Sequence, residues 1–171
     1  MNFRSLVVPA ISGGVVAASL VLAAPAHAAT TVGVVMNGSE LRMTGSDFDD
    51  DIELRADGGA VVVISRTATV FTGAGSGCTR ISDFSVRCAS VATVNAQLGL
   101  GNDRFLNNTN RPSVIGGGAG ADTLTGGAAD DTISGGNGND TLDGAGGRDT
   151  VAGGNNFDNC IGEIEAPTCE S

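Results

Sequence analysis

A fixed nine-residue period constrains this chain more than any other feature. Residues Gly117 to Ile161 read GGAGADTLT, GGAADDTIS, GGNGNDTLD, GAGGRDTVA and GGNNFDNCI, five units in one unbroken register. Every unit opens with glycine: Gly117, Gly126, Gly135, Gly144 and Gly153. Its sixth position is always aspartate: Asp122, Asp131, Asp140, Asp149 and Asp158. Its eighth is apolar: Leu124, Ile133, Leu142, Val151 and Cys160. A flexible Gly-rich linker has no reason to hold an acid and an apolar side chain in phase. A short constant period instead calls for stacked units, none of which can bury its apolar side chain alone.

Each unit divides into a turn and a short strand. The six residues ending at Asp reverse the chain, and glycine supplies the positive φ angles that such a turn needs. The last three, such as Thr123-Leu124-Thr125, form a strand whose middle side chain points away from its neighbours. If every turn reverses the chain, two units make one coil. Loops two units apart then stack on the same edge, about 4.8 Å from each other. That scheme sets Asp122 near Asp140, Asp140 near Asp158, and Asp131 near Asp149.

The pattern G-G-x-G-x-D-x-U-x resembles the hemolysin-type calcium-binding family, the RTX nonapeptide repeat. The resemblance implies an all-β fold: a right-handed parallel β-roll or β-helix solenoid with Gly-rich turns that bind Ca2+. It implies ions between stacked loops, with Asp122, Asp131, Asp140, Asp149 and Asp158 as ligands at three sites, and Asp140 shared by two of them. The chemistry agrees, since calcium takes six to eight oxygens from carboxylates and carbonyls. The five units carry seven Asp against one Arg, Arg148. Stacked carboxylates repel one another, so ion binding is expected to be coupled to folding. The units also depart from the pattern. Ala129 and Asn156 stand at position 4, Ala145 at position 2, and Cys160 at the apolar position. These departures weaken the third site, between Asp140 and Asp158, most.

Two partial copies precede the repeats. Gly99 to Phe105 reads GLGNDRF, with Asp103 at position 6 and Phe105 at position 8. Asp103 lies two units plus one residue before Asp122, and the extra residue fits the loop around Asn107 to Pro112. Asp103 would then share an edge with Asp122 and could build a fourth site, while Ile115 fills the apolar place of the ligand-poor unit between them. Gly45 to Glu53 reads GSDFDDDIE and sets Asp50 and Ile52 in the same frame. It is either a degenerate first repeat or a solvated acidic turn.

The rest of the first half is β-rich. Thr31 to Met36, Val61 to Ile64, Thr67 to Phe71 and Val91 to Leu98 are strand candidates, and Glu40 to Thr44 alternates as a half-buried strand does. Asp57-Gly58-Gly59 marks a turn, and Gly73 to Gly77 a loop. The resulting division is 1–28 leader, 29–98 N-terminal β-rich solenoid region, 99–161 calcium-binding β-roll and 162–171 C-terminal cap.

The leader has Arg4, a largely apolar stretch from Leu6 to Ala24 and the small-residue motif Ala26-His27-Ala28. These are the parts of a cleaved export signal. Pro9, Gly13 and Gly14 argue against an uncleaved anchor, so no stable membrane anchor is expected. An exported chain with a cleaved leader looks more like the secreted RTX-type proteins of Gram-positive bacteria. The expected location is extracellular. There, four cysteines read as two disulfides. Three pairings are possible, and the shortest loops, Cys78 with Cys88 and Cys160 with Cys169, are favoured. The second would close the cap.

Composition then excludes function classes. The chain holds nine basic and nineteen acidic residues, for a net charge of −10. That balance speaks against nucleic acid as a partner and for cations. The only histidine is His27, in the leader, and lysine is absent. Histidine-based triads and lysine Schiff bases are therefore excluded from the mature chain. Carboxylate pairs remain, but Glu40, Glu53 and Asp57 are expected as exposed charges on strand faces and turns. About 70 residues separate leader and repeats, too few for the catalytic domains to which such repeats are often joined. The expected function is non-enzymatic calcium binding. The alternative is an accessory extracellular module recognising a cell-surface or carbohydrate ligand. Against it stands the absence of Trp and Tyr. The sequence names no protein or glycan partner.

Overall fold

The computed structural model describes residues 31–67, 77–162, 164–165 and 169, and among these every regular element is a strand. The leader, the strand candidate beyond Thr67, the loop before Gly77 and most of the tail lie outside the described residues. The first half contributes β1 (Gly33–Asn37), β2 (Glu40–Thr44), β3 (Asp51–Asp57), β4 (Ala60–Ser65), β5 (Cys78–Ser82), β6 (Ser85–Cys88) and β7 (Thr93–Leu100). Then follow β8 (Arg104–Asn108), β9 (Ser113–Ala119), β10 (Thr123–Thr125), β11 (Thr132–Asn137), β12 (Thr141–Asp143), β13 (Thr150–Asn155), β14 (Asn159–Ile161) and β15 (Ile164–Glu165).

These strands form two sheets, ordered β1-β2-β7-β9-β11-β13-β15 and β14-β12-β10-β8-β3-β4-β6-β5. From β6 onward the chain alternates between them, and strands two apart in the repeats pair in parallel with an 18-residue offset: Thr123 with Thr141, Ile133 with Val151, Leu142 with Cys160. Two nonapeptides therefore make one coil of a parallel β-roll, as the period requires.

The core is a pair of apolar ladders between the sheets. Ala96, Ile115, Ile133 and Val151 align on one side. Ile52, Phe105, Leu124 and Leu142 align on the other, with Cys160 at its end. All but the half-buried Cys160 are essentially without solvent exposure. Strand residues alternate in direction, so one apolar position per short strand is enough to keep the ladder continuous.

Antiparallel strands cover the N-terminal end. β1 pairs with β2, while β4 pairs with β3 and then with the β5–β6 hairpin. They bring Val32, Val34, Val61, Val63 and Val86 onto the first coil, all buried. Cys78 and Cys88 lie opposite each other on the hairpin and are bonded, and Cys160 is bonded to Cys169.

Glu53 is not the exposed charge that its strand position suggests. It is 3% exposed. β3 lies inside its sheet, between β8 and β4, and Glu53 is enclosed by Arg55 of its own strand, Arg66 just past β4 and Asn108 of β8. Arg55 Nε donates to Glu53 Oε1 at 2.6 Å, Arg66 pairs with Oε2, and Asn108 Nδ2 donates to Oε1 at 3.0 Å. Hydrogen bonds from Arg55 and Arg66, then Asn108, hold the carboxyl down at about 2 despite its burial.

Leu124 is fully buried between Phe105 and Leu142. Leu124→Ala is expected to cost about 2–5 kcal/mol, whereas Val114→Ala, at a 47% exposed position, should stay within about 0.5 kcal/mol. Denaturant titration in calcium measures both.

Candidate functional site

The turns that carry the chain from the first sheet to the second all lie on one edge of the roll. They hold Asp50, Asp103, Asp122, Asp140 and Asp158, each no more than 2% exposed. The five form a column. The main-chain N–H of Asp50 donates to Asp103 Oδ1, that of Asp103 to Asp122 Oδ1, and that of Asp122 to Asp140 Oδ1, each at 2.8 Å. Asp140 N–H donates to Asp158 Oδ1 at 2.9 Å. One oxygen of Asp103, Asp122, Asp140 and Asp158 thus pins the neighbouring loop, while Asp50, at the head of the column, gives one oxygen to Ser46 of its own turn. The other has no partner: Oδ2 of Asp103, Asp122, Asp140 and Asp158, and Oδ1 of Asp50, are buried and unbonded.

The glycine at position 1 gives the free oxygens of Asp122, Asp140 and Asp158 their room. A Cβ on Gly117 would collide with Asp122 Oδ2 and stand 2.7 Å from the carbonyl oxygen of Gly135. At Gly135 the same place is taken by Asp140 Oδ2 and, at 2.7 Å, the carbonyl of Gly153. A carboxylate oxygen from one loop and a carbonyl oxygen from the next therefore converge where any larger residue would put a side chain.

The opposite edge carries Asp131 and Asp149 and is built differently. Asp131 N–H donates to Asp149 Oδ1 at 2.9 Å, so the expected pair is present. But Asp131 is already satisfied by the protein. Ser113 donates to its Oδ1 from both N–H (2.7 Å) and Oγ (2.6 Å), and Gly127 N–H donates to Oδ2 at 2.6 Å. Asn107 occupies the preceding coil on this edge, with its amide near Gly127. Protein donors close this column where a further acid would continue it.

Burial sets the electrostatics. It pushes the Asp103 carboxyl up to about 7, helped by the charges of Asp122, Asp50 and Asp49 against the N–H donated by Asp50. Asp50, Asp122, Asp131 and Asp140 are also raised, in each case chiefly by burial. Among the described residues no three His, Cys, Asp or Glu side chains form one cluster. The donor set between two loops is a carboxylate pair completed by main-chain carbonyls.

All six acids singled out in the sequence therefore stack as the two-unit coil demands, Asp103 included. Asp50 completes the longer column; its frame was visible in GSDFDDDIE, and the alternative of a solvated turn is excluded by its burial. Asp140 is not alone in facing two neighbours, because Asp103 and Asp122 do so too.

Fold and site together define a parallel β-roll whose stacked acidic turns are completed on one edge by unbonded carboxylate oxygens. Residues 116–158 match the RTX calcium-binding nonapeptide repeat, in four copies. No curated protein and no solved structure matches the chain. The residues present fit the ion that the family implies. Calcium is a hard cation that prefers oxygens and tolerates irregular geometry, and the column offers buried anionic oxygens that no protein donor satisfies.

Two outcomes follow. Asp140→Ala should cost more bound calcium than Asp131→Ala, because Asp131 is held by Ser113 and Gly127; isothermal titration calorimetry of the two variants gives the comparison. The second concerns pH. A carboxyl raised by folding favours the folded state below its unfolded value near 4 and withdraws that support as pH climbs through its folded value. With chelator present, the folded form should lose stability between about pH 4 and 7, the range set by Asp103. Glu53, lowered to about 2, adds support above pH 4.5 that is lost toward pH 2. Metal-free thermal stability should thus peak near pH 4–5, and calcium affinity should fall as pH drops below 7. Thermal melts and calcium titrations across pH check both.

Proposed function

We propose that the chain is an exported, non-catalytic calcium-binding protein whose repeats become ordered around the ion. The observation that carries this reading is the line of unbonded Oδ2 atoms on Asp103, Asp122, Asp140 and Asp158. An unpartnered buried carboxylate is costly in a folded protein, and a divalent ion between successive loops removes that cost while cancelling the repulsion of the column. The ligands in this reading are Asp103, Asp122, Asp140 and Asp158 on one edge and Asp131 with Asp149 on the other, together with carbonyls such as that of Gly135.

Export is supported by the leader-like first 28 residues and by two disulfides, which persist in oxidising compartments. The non-catalytic reading is supported by a mature sequence free of His and Lys, and by acids whose arrangement calcium already accounts for. An extracellular module of this kind needs only modest affinity, on the order of 10⁻⁴–10⁻³ M.

One observation favours the alternative, recognition of a cell-surface or carbohydrate ligand. A groove of about 520 Å³ lies on the second edge, lined by Asn107, Asn108, Asn110, Thr109 and Thr125 over small residues such as Gly126 and Ala145. It offers amides and hydroxyls to a polar ligand but no aromatic platform. Calcium titration of the mature protein, followed by far-ultraviolet circular dichroism, tests the main reading. A millimolar rise in β signal is the expected result, and an unchanged spectrum with no heat of binding would refute it.

A further inference from the structure

The carboxylate column extends past the matched repeats. Its first two members, Asp50 and Asp103, lie outside residues 116–158. They are 53 residues apart, with the β4–β6 excursion between them, yet the N–H of Asp50 donates to Asp103 Oδ1 at 2.8 Å. Arg104 N–H donates to the Asp50 carbonyl at 2.7 Å, so the two loops are in full register. Asp50 is 1% and Asp103 2% exposed.

Each keeps one buried oxygen without a partner, Oδ1 of Asp50 and Oδ2 of Asp103. The remaining oxygen of Asp50 accepts from Ser46 N–H at 2.8 Å and Ser46 Oγ at 3.1 Å. These bonds fix the carboxylate in place but supply no positive charge. The nearest arginine on these strands, Arg104, turns its guanidinium to Asp51 at 3.3 Å on the surface. The carbonyl of Leu98 lies against the α-carbon of Gly45, where a Cβ would strike it. This is the counterpart of the Gly135 carbonyl against Gly117. Two anionic oxygens and a nearby carbonyl are thus buried without a protein cation, in the donor chemistry that calcium takes.

We infer that Asp50 and Asp103 form a further calcium site, which joins the N-terminal hairpins to the repeat column. It rests on the calcium reading of the repeats and adds to it. Asp103 becomes a ligand shared by two sites, one with Asp50 and one with Asp122. The ion clamps the start of β3 to the start of β8 and so ties the β3–β6 excursion to the coils that follow. Calcium then orders the junction as well as the repeats.

Native mass spectrometry of the mature protein at saturating calcium counts the ions. Asp50→Asn keeps an acceptor for Ser46 and should bind one ion fewer than wild type. Asp103→Asn should bind two fewer. Asp47→Asn, an exposed acid on the same loop, should bind the wild-type number. A second measurement needs no variant. Anomalous scattering from crystals of the wild type loaded with Tb3+ should place an ion between Asp50 and Asp103 as well as between Asp122 and Asp140. If wild type binds calcium while Asp50→Asn binds the same number, or if Tb3+ stands between Asp122 and Asp140 but not between Asp50 and Asp103, this site is ruled out and the repeat sites stand. If wild type binds no calcium at all, the reading of the repeats falls and this site with it.

Discussion

Each buried aspartate of the column divides its carboxylate between two tasks. In Asp103, Asp122, Asp140 and Asp158 one oxygen accepts the main-chain N–H of the adjoining coil and the other is left over; Asp50, at the head of the column, gives its bonded oxygen to Ser46 of its own turn. The first bond is the reason that the loops stack in register. A turn with no regular ladder of its own needs a partner for its N–H groups, and a buried group left without one costs about 1–3 kcal/mol. The leftover oxygen follows from the same geometry. The arrangement that satisfies the backbone thereby leaves an anion that a cation must satisfy, so coil stacking and ion demand are one constraint.

Glycine follows from that constraint. Within the five repeats position 1 lacks a Cβ because the carboxylate of its own unit fills the space, joined at Gly117, Gly126 and Gly135 by the carbonyl of the next coil. The irregular units show where the demand relaxes. Ala145 and Asn156 stand at φ 67° and 83°, inside the left-handed region that Asn visits readily. Gly118, Gly136 and Gly154 lie at 117–120°, where a side chain is strained. The substitutions occur where the backbone bends less far. The second edge shows the other relaxation, since Ser113 and Gly127 donate to Asp131 and so remove the free oxygens found on the first edge.

A solenoid must also end, because its terminal strands expose unpaired backbone groups. At the N-terminal end the chain turns antiparallel in both sheets. β1 closes one edge, and β4 with the disulfide-bonded β5–β6 hairpin extends the other. The apolar residues of these strands make the first coils the thickest part of the core. The repeats, with one inward side chain per short strand, continue from that base. The Asp50 turn stands at the junction, with the hairpins on one side and the column on the other.

Much of this was legible in the chain itself. A strict period of nine with Asp at position 6 and an apolar residue at position 8 allows few folds, and the two-unit coil, the neighbours of each repeat aspartate and the place of Asp103 all follow from it. Local spacing also pointed to both disulfides. Other features depended on long-range contacts. Glu53 reads as surface charge on an alternating strand, and only the strands on either side of β3 show that it is enclosed by Arg55, Arg66 and Asn108. The GSDFDDDIE stretch permits a repeat or a solvated turn, and the choice rests on a hydrogen bond to a residue 53 positions away. The inequality of the two edges was hidden for the same reason. Asp122 and Asp131 hold the same position in their units, but what satisfies a buried carboxylate is set by the coil stacked against it, and a local motif does not contain its neighbour.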